Sequence, residues 1–113
     1  MLRGADVTFL LGKGSEAPPP WLPFTPIDDY DGYREKVLAA VRSGLDAGVF
    51  SAGVADYRPS HPQAGKIPSG QSTLRLELEP TAKVIDAVRL VDPDLPVVTF
   101  KCREGCSVAV LRA

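Results

Sequence analysis

The pattern of hydrophobic and polar positions divides the chain into four predicted strands and two predicted helices. Continuous apolar runs predict buried strands at residues 6–11, 49–54 and 96–101. Strict alternation in residues 73–79 places three leucines on one face and charged residues on the other. This alternation predicts a half-buried strand, either antiparallel or at the edge of a sheet.

The first predicted helix follows a cluster of aspartates. Its apolar face repeats at three- and four-residue spacing: Tyr33, Val37, Ala40, Val41 and Leu45. Asp28, Asp29 or Asp31 can cap its amino terminus, and the helix should end near Gly44 or Gly48. The charged residues between the apolar positions are expected to form a solvated face.

The second predicted helix begins at Pro80 and Thr81 and stops at the Asp92–Pro93 pair. Its apolar stripe consists of Val84, Ile85, Val88 and Val91. The resulting order, strand–helix–strand, a loop, then strand–helix–strand, favours one layered α/β domain over residues 1–113 with a mostly parallel sheet. Residues 107–113 fit either a strand or the start of a helix.

Two loops have a distinctive composition. Residues 17–26 contain five prolines, so we expect an extended connection there and neither a helix nor a central strand. Trp21, Leu22 and Phe24 within it should pack down or meet a partner chain, and a proline-rich ligand for another domain is the alternative. Residues 58–72 predict a mobile loop or flap.

Residues 12–15, Gly-Lys-Gly-Ser, favour a turn over a phosphate-binding loop, because they lack the P-loop spacing.

Composition and charge exclude several classes of protein. The chain has 113 residues, 44% of them hydrophobic, and a formal net charge of −1. The hydrophobic content is therefore sufficient for a core. The net charge gives no positive potential that would attract nucleic acid, and no apolar run reaches the ~20 residues that a membrane span needs. A cytoplasmic location is expected.

The two cysteines, Cys102 and Cys106, stand four positions apart, and the single histidine, His61, is distant in sequence. A zinc site needs about four ligands, so two reduced thiols are favoured over a metal site or a redox disulfide, and no metal ligands are predicted.

The stretch from Val49 to Pro59, VFSAGVADYRP, is the strongest candidate site. A predicted strand ends there in small residues and opens into Asp56, Tyr57 and Arg58, with Lys66 on the following loop. The carboxyl ends of strands in open α/β sheets leave a crevice where ligands bind. The alternative is a solvated strand exit with no ligand.

These motifs resemble a known family. SAGVADYRP, the Gly-Lys-Ile ten residues after its aspartate, TLRLELEPTAKVID and VVTFKCREG are similar to phosphopantothenate–cysteine ligase. That enzyme is the synthetase half of the coenzyme A biosynthesis flavoprotein. The opening RGADVTFLLGKGS also resembles that family.

The resemblance implies a Rossmann-like, three-layer, dimeric and cytoplasmic ligase. Such an enzyme activates the carboxylate of 4'-phosphopantothenate with CTP or ATP and Mg2+, and cysteine then attacks the acyl nucleotide to form an amide. No flavin is implied. The resemblance assigns Lys66 as a catalytic flap lysine that also binds nucleotide. The other implied nucleotide-binding residues are Phe50, Ser51, Ala52, Asp56, Thr81, Ala82, Lys83, Val84 and Phe100.

The resemblance covers only the middle of the family's domain. A glycine-rich loop with an Asn-x-Ser-Ser-Gly motif and a later pair of strands have no counterpart in this sequence, so the domain is expected to be truncated at both ends. Ile67, Pro68 and Ser69 follow Lys66, where bacterial members usually carry further lysines. Two functions stay open: a ligase domain that another chain or copy completes, and a non-catalytic, self-associating module.

Overall fold

A computed structural model describes residues 4–100. The elements, in chain order, are β1 (Leu10–Gly12), β2 (Thr25–Ile27), α1 (Tyr30–Arg42), β3 (Gly48–Phe50), β4 (Tyr57–Pro59), β5 (Leu78–Pro80), α2 (Val84–Val91) and β6 (Val97–Thr99). The predictions for Lys101, Cys102, Cys106 and residues 107–113 lie outside the described residues.

The described strands pair in three two-stranded ladders. β1 pairs with β2, and β3 pairs with β6, both in parallel. β4 and β5 form an antiparallel ladder. The α/β class and the mostly parallel pairing are confirmed, whereas a single continuous sheet is not present in this part of the chain.

The two helices form most of the core. α1 and α2 pack against each other and bury Val37, Leu38, Val41, Val84 and Val88 together with Leu95 from the turn before β6. Val88 is completely buried. The predicted apolar faces are confirmed at their central residues, since both contribute to this cluster. Val91, however, is 38% exposed, and the buried Leu38 was not among the predicted positions. Neither helix is long and apolar enough to cross a bilayer.

The helix ends follow local chemistry. The Asp29 carboxylate accepts a hydrogen bond from the Gly32 amide at 2.8 Å, so the predicted aspartate cap is Asp29. Gly44 follows α1 with a φ of 88°, a left-handed conformation that favours glycine. α2 ends at Val91 with Asp92 as its cap, directly before Pro93, as predicted. It begins at Val84 and not at Pro80 and Thr81 as predicted, because Pro80 is the last residue of β5.

The strands predicted as buried are shorter and more exposed than expected. Of residues 6–11 only Leu10 and Leu11 belong to a strand, and of residues 49–54 only Val49 and Phe50 do. Val49 is 68% exposed, and its ladder partner Val98 also faces solvent. A two-stranded ladder covered on one face buries only alternate residues, here Phe50 and Val97.

Two strands appear where loops were predicted. β2 includes Pro26, and β4 ends at Pro59, which is paired with Leu78. Proline cannot donate to a central ladder, but every strand of a two-stranded ladder is an edge strand, where its missing N–H need not cost a bond.

The expectation of a buried leucine face in residues 73–79 is wrong. Leu74, Leu76 and Leu78 are all more than half exposed, and only Leu78 and Glu79 of this run lie in β5. The antiparallel pairing itself is confirmed. The leucines stay exposed because no second layer covers this ladder in the described residues. Residues 60–77 contain no helix or strand, in agreement with the predicted loop.

Candidate functional site at the ends of the parallel strands

A cavity of about 250 Å³ opens at the carboxyl ends of β3 and β6. Three separate parts of the chain form it: the end of β3 with the loop after it, the turn that starts α2, and the end of β6. The lining residues are Tyr33, Phe50, Ala52, Val54, Ala55, Asp56, Thr81, Ala82, Lys83, Val84, Ile85, Thr99 and Phe100. Strand ends leave such crevices because the chain turns away from the sheet there.

All the nucleotide-binding residues implied by the family resemblance line this cavity except two, Ser51 and Lys66. Segments as far apart in sequence as Phe50 and Phe100 meet at one place because β3 and β6 are paired. Lys66 is exposed, and its neighbours Ile67 and Pro68 line a different, open concavity of about 560 Å³ formed within residues 63–75.

Thr81 joins two of the cavity walls. Its hydroxyl donates to the Ala55 carbonyl at 2.6 Å, and its amide donates to the Asp56 carbonyl at 2.9 Å. These bonds hold the loop after β3 against the turn before α2. They place Asp56 beside the first residues of the helix.

Tyr30, at the start of α1, reaches the same turn. Its hydroxyl donates to the carbonyl of Ala82, although Tyr30 itself does not line the cavity. Tyr33, one turn further along α1, does line the cavity, and its burial raises the pKa of the phenol above the ordinary value. Tyr33 therefore stays neutral near neutral pH and presents a hydroxyl rather than a charge.

The amino terminus of α2 forms one side of the cavity. Lys83 is its cap residue, and within the described residues no side chain bonds to the first amides of the helix. The Asp86 amide donates a hydrogen bond to the Lys83 carbonyl. Lys83, Val84 and Ile85 all line the cavity, so the positive end of the helix dipole lies beside it.

Arg58 from the candidate motif does not reach the cavity. Its guanidinium donates to the Glu79 carboxylate at 2.7 Å and lies 3.9 Å from Asp31. The hydrogen bond to Glu79, together with the charge of that carboxylate, raises the pKa of Arg58. This residue connects β4 to β5, whereas the sequence predicted either a ligand site or a solvated strand exit here.

The other sequence candidates lie elsewhere. The Lys13 amide donates to Ile27 and the Ser15 amide donates to Gly12, so residues 12–15 form the turn that was favoured over a phosphate loop. Among residues 4–100, no three His, Cys, Asp or Glu side chains cluster as a metal site would require.

Five lining residues were not among those that the resemblance assigned: Tyr33, Val54, Ala55, Ile85 and Thr99. Val54 and Ala55 nevertheless lie within the candidate stretch from Val49 to Pro59. Three of the five, Ala55, Ile85 and Thr99, lie next to an assigned residue, so extending each motif by one position along the chain would have found these three. Tyr33 belonged to the predicted apolar face of α1, and nothing in the periodicity distinguishes a core position from one at a cavity. Tyr30 gave no sequence signal at all.

Comparison with known proteins agrees with the resemblance. Residues 1–108 match the model of the family described as the DNA/pantothenate metabolism flavoprotein C-terminal domain. The chain is also 42% identical over 110 residues to the coenzyme A biosynthesis bifunctional protein CoaBC of Thermococcus kodakarensis. That match covers 93% of this chain and 26% of the relative, so the chain spans about a quarter of the length of the curated relative it matches. The chain belongs to the DNA/pantothenate metabolism flavoprotein C-terminal domain family.

Proposed function

We propose that this chain, as a member of that family, supplies the nucleotide-binding part of a ligase in coenzyme A biosynthesis. The reaction joins 4'-phosphopantothenate to cysteine at the expense of CTP or ATP. The substrate carboxylate attacks the α-phosphorus and expels pyrophosphate. The cysteine amine then attacks the acyl carbon, forms the amide and expels the nucleoside monophosphate.

One observation carries the proposal: residues that the resemblance assigned to nucleotide binding converge on one cavity from three distant segments. Asp56, Thr81 and Phe100 stand in different elements, and the pairing of β3 with β6 and the hydrogen bonds of Thr81 bring them to one crevice. The position at the ends of parallel strands is the usual ligand site of open α/β sheets.

The cavity walls suit a nucleoside. Phe50 and Phe100 offer flat apolar surface for a base, and the Asp56 carboxylate can accept hydrogen bonds from a base or a sugar. A volume of about 250 Å³ lies just below the usual range of small-molecule sites, about 300–1,000 Å³, so it suits the nucleoside and leaves the phosphates outside.

The phosphates are expected near the open side of the cavity. The amides at the start of α2 and the ammonium of Lys83 both favour negative charge there. Mg2+ fits this arrangement as an ion carried by the phosphates, because Asp56 is the only carboxylate among the described lining residues.

Lys66 is proposed as the catalytic lysine of the flap. It stands in the long segment without helix or strand, residues 60–77, and must approach the cavity to act. Closing over the nucleotide, its ammonium would neutralise charge at the phosphorus and help to exclude water from the acyl nucleotide.

Calorimetric titration of the full chain with CTP and then ATP, each with Mg2+, tests the proposal. We expect one nucleotide to bind at micromolar concentration and Asp56→Ala and Lys66→Ala to abolish that binding, with each variant losing less than about 1 kcal/mol of stability, since both side chains are exposed. Asp46→Ala, which removes an exposed carboxylate away from the cavity, is the matched control. Absence of heat from a folded wild-type chain, or unchanged binding in Asp56→Ala, overturns the assignment.

A second function, a self-associating module, is favoured by the exposed leucines of residues 74–78. Leu74, Leu76 and Leu78 are each more than half exposed, and Leu78 lies in the edge strand β5, so pairing with another copy would cover apolar surface there. Sedimentation measurements on the wild type and on Leu74→Ser/Leu76→Ser distinguish the cases. A dimer lost in the double variant supports self-association, and a wild-type monomer at every concentration excludes it.

A further inference from the structure

We propose that the hydroxyls of Thr81 and Tyr30 act as a two-point clamp that positions the wall of the cavity without binding the ligand. The inference rests on the proposed function, because it concerns the same cavity. It assigns Thr81 a positioning role in place of a direct contact, and it adds Tyr30, which neither the sequence nor the family comparison points to.

The first point of the clamp is Thr81. A hydroxyl has one proton, and that proton is given to the Ala55 carbonyl at 2.6 Å. The Thr81 amide likewise donates a hydrogen bond to the Asp56 carbonyl at 2.9 Å. Both hydrogen-bond donors of Thr81, its hydroxyl and its amide, are therefore bonded to the loop after β3, and neither is available to a ligand.

The second point is Tyr30. Its hydroxyl donates to the Ala82 carbonyl, across 52 positions of sequence. Ala82 directly follows Thr81, so the turn is held from the β3 side by one residue and from the α1 side by the next. Tyr30 starts α1, whose amino terminus is fixed by the Asp29 cap, so this side of the clamp is anchored to a rigid element.

The clamp determines the distance between the two polar features of the cavity. Asp56 lies on the loop after β3, and the open amides lie at the start of α2. Neither Asp56 nor these amides lie in the interior of a strand or helix, whose regular hydrogen bonds would hold them in position. Since a site performs well only when its groups are held in place before the ligand arrives, losing either bond should weaken binding while leaving the core intact.

Conservative substitutions isolate each hydroxyl. Thr81→Val keeps the shape of the side chain and removes the donor, whereas Thr81→Ser keeps the donor. Tyr30→Phe keeps the ring and removes the other donor. Tyr57→Phe removes a hydroxyl from an exposed tyrosine outside the cavity and serves as the control.

Two readouts on the chain of 113 residues keep the clamp separate from the proposed function. Nucleotide affinity by calorimetry is expected to fall about two- to tenfold in Thr81→Val and in Tyr30→Phe, the loss typical of one net hydrogen bond, and to be restored in Thr81→Ser. Amide hydrogen exchange is expected to quicken by a similar factor in residues 54–58 and 81–85 and to stay unchanged in residues 36–42 of α1. The two single changes should combine less than additively, since they hold the same turn.

The outcomes divide cleanly. If the wild type binds nucleotide and Thr81→Val and Tyr30→Phe bind it equally well, the clamp is overturned. If Thr81→Ser behaves like Thr81→Val, the hydroxyl is not the cause, and the clamp is also overturned. If the wild type binds no nucleotide, the proposed function fails, and exchange alone decides: faster exchange at 54–58 and 81–85, rescued by serine, supports the clamp, and unchanged exchange overturns it.

Discussion

The helical side of the molecule and the hairpin side use similar apolar side chains to opposite effect. On the helical side, α1 and α2 face each other and bury Leu38 and Val88 almost completely. On the hairpin side, β4, β5 and residues 60–77 leave the leucines in solvent, with Leu76 62% exposed. Two helices can cover each other's apolar stripe, whereas a two-stranded ladder needs a second layer before its apolar face is buried. Stability therefore comes from the helical side.

The largest expected effect comes from making the same substitution, leucine to alanine, on each side of the molecule and comparing the losses of stability. Leu38→Ala should cost about 2–5 kcal/mol, because it removes buried methyl groups and leaves a cavity between the helices. Leu76→Ala should change stability by no more than about 0.5 kcal/mol, as exposed positions usually do. Urea unfolding followed by circular dichroism measures both, and equal losses would abolish the distinction between the two sides.

A smaller effect is expected from the cap of α1. Asp29→Ala removes the acceptor of the Gly32 amide and should cost about 1 kcal/mol. Asp29→Asn should keep most of the stability, because an amide oxygen can also cap. The neighbouring Asp28→Ala is the control in the same urea series, and a comparable loss there would contradict the assignment of the cap.

Alkaline pH should weaken the helical side through Tyr33. Burial raises its pKa in the folded chain, so the folded state holds the proton more tightly than the unfolded state. Stability is then complete below the ordinary tyrosine pKa of 10.0 and falls as the pH rises from there through the folded pKa. Urea midpoints measured across this range should fall less steeply in Tyr33→Phe, and should fall as in the wild type in Tyr57→Phe, whose ring is exposed.

The smallest effect is expected on the hairpin side, at the pair of Arg58 and Glu79. The bond is short, 2.7 Å, but both side chains are about half exposed, and such pairs are weakened by water and salt. Arg58→Ala should leave the urea midpoint unchanged at high salt. A clear loss of stability that persists at high salt would show that this ladder contributes more than its exposure indicates.

The same contrast explains what could be predicted from sequence. The helices were predicted with their apolar faces because three- and four-residue spacing already determines which residues meet a neighbouring helix. The leucines of residues 73–79 were predicted to share one buried face, but only Leu78 lies in a strand, and alternation does not reveal whether anything covers an apolar face. Likewise Val49 looks like a core residue in sequence, and it is exposed because β3 is covered on one side only.

Residues of the candidate site could be predicted where they belong to a recognisable motif. They could not be predicted where their role depends on a contact with a residue distant in sequence. Asp56 and Phe100 were identified from motifs, and the structure places both at one cavity. Tyr30 reaches the Ala82 carbonyl from 52 positions away, and such a contact depends on how α1 lies against α2. The position of Lys66 outside the cavity could not be foreseen either, because residues 60–72 carry no periodic pattern to orient it.

The pairing of β3 with β6 also bears on how the site comes into existence during folding. Gly48 pairs with Val97, so this ladder joins residues 49 positions apart and closes a large loop. Pairings of such long separation carry their entropic cost before they gain contacts and tend to form slowly, whereas the turns of α1 form locally. We expect amides of α1 to gain protection before those of β3 in pulsed hydrogen exchange during refolding, and simultaneous protection would contradict this order. A chain arrested at that stage would have its helices and lack the cavity at the ends of β3 and β6.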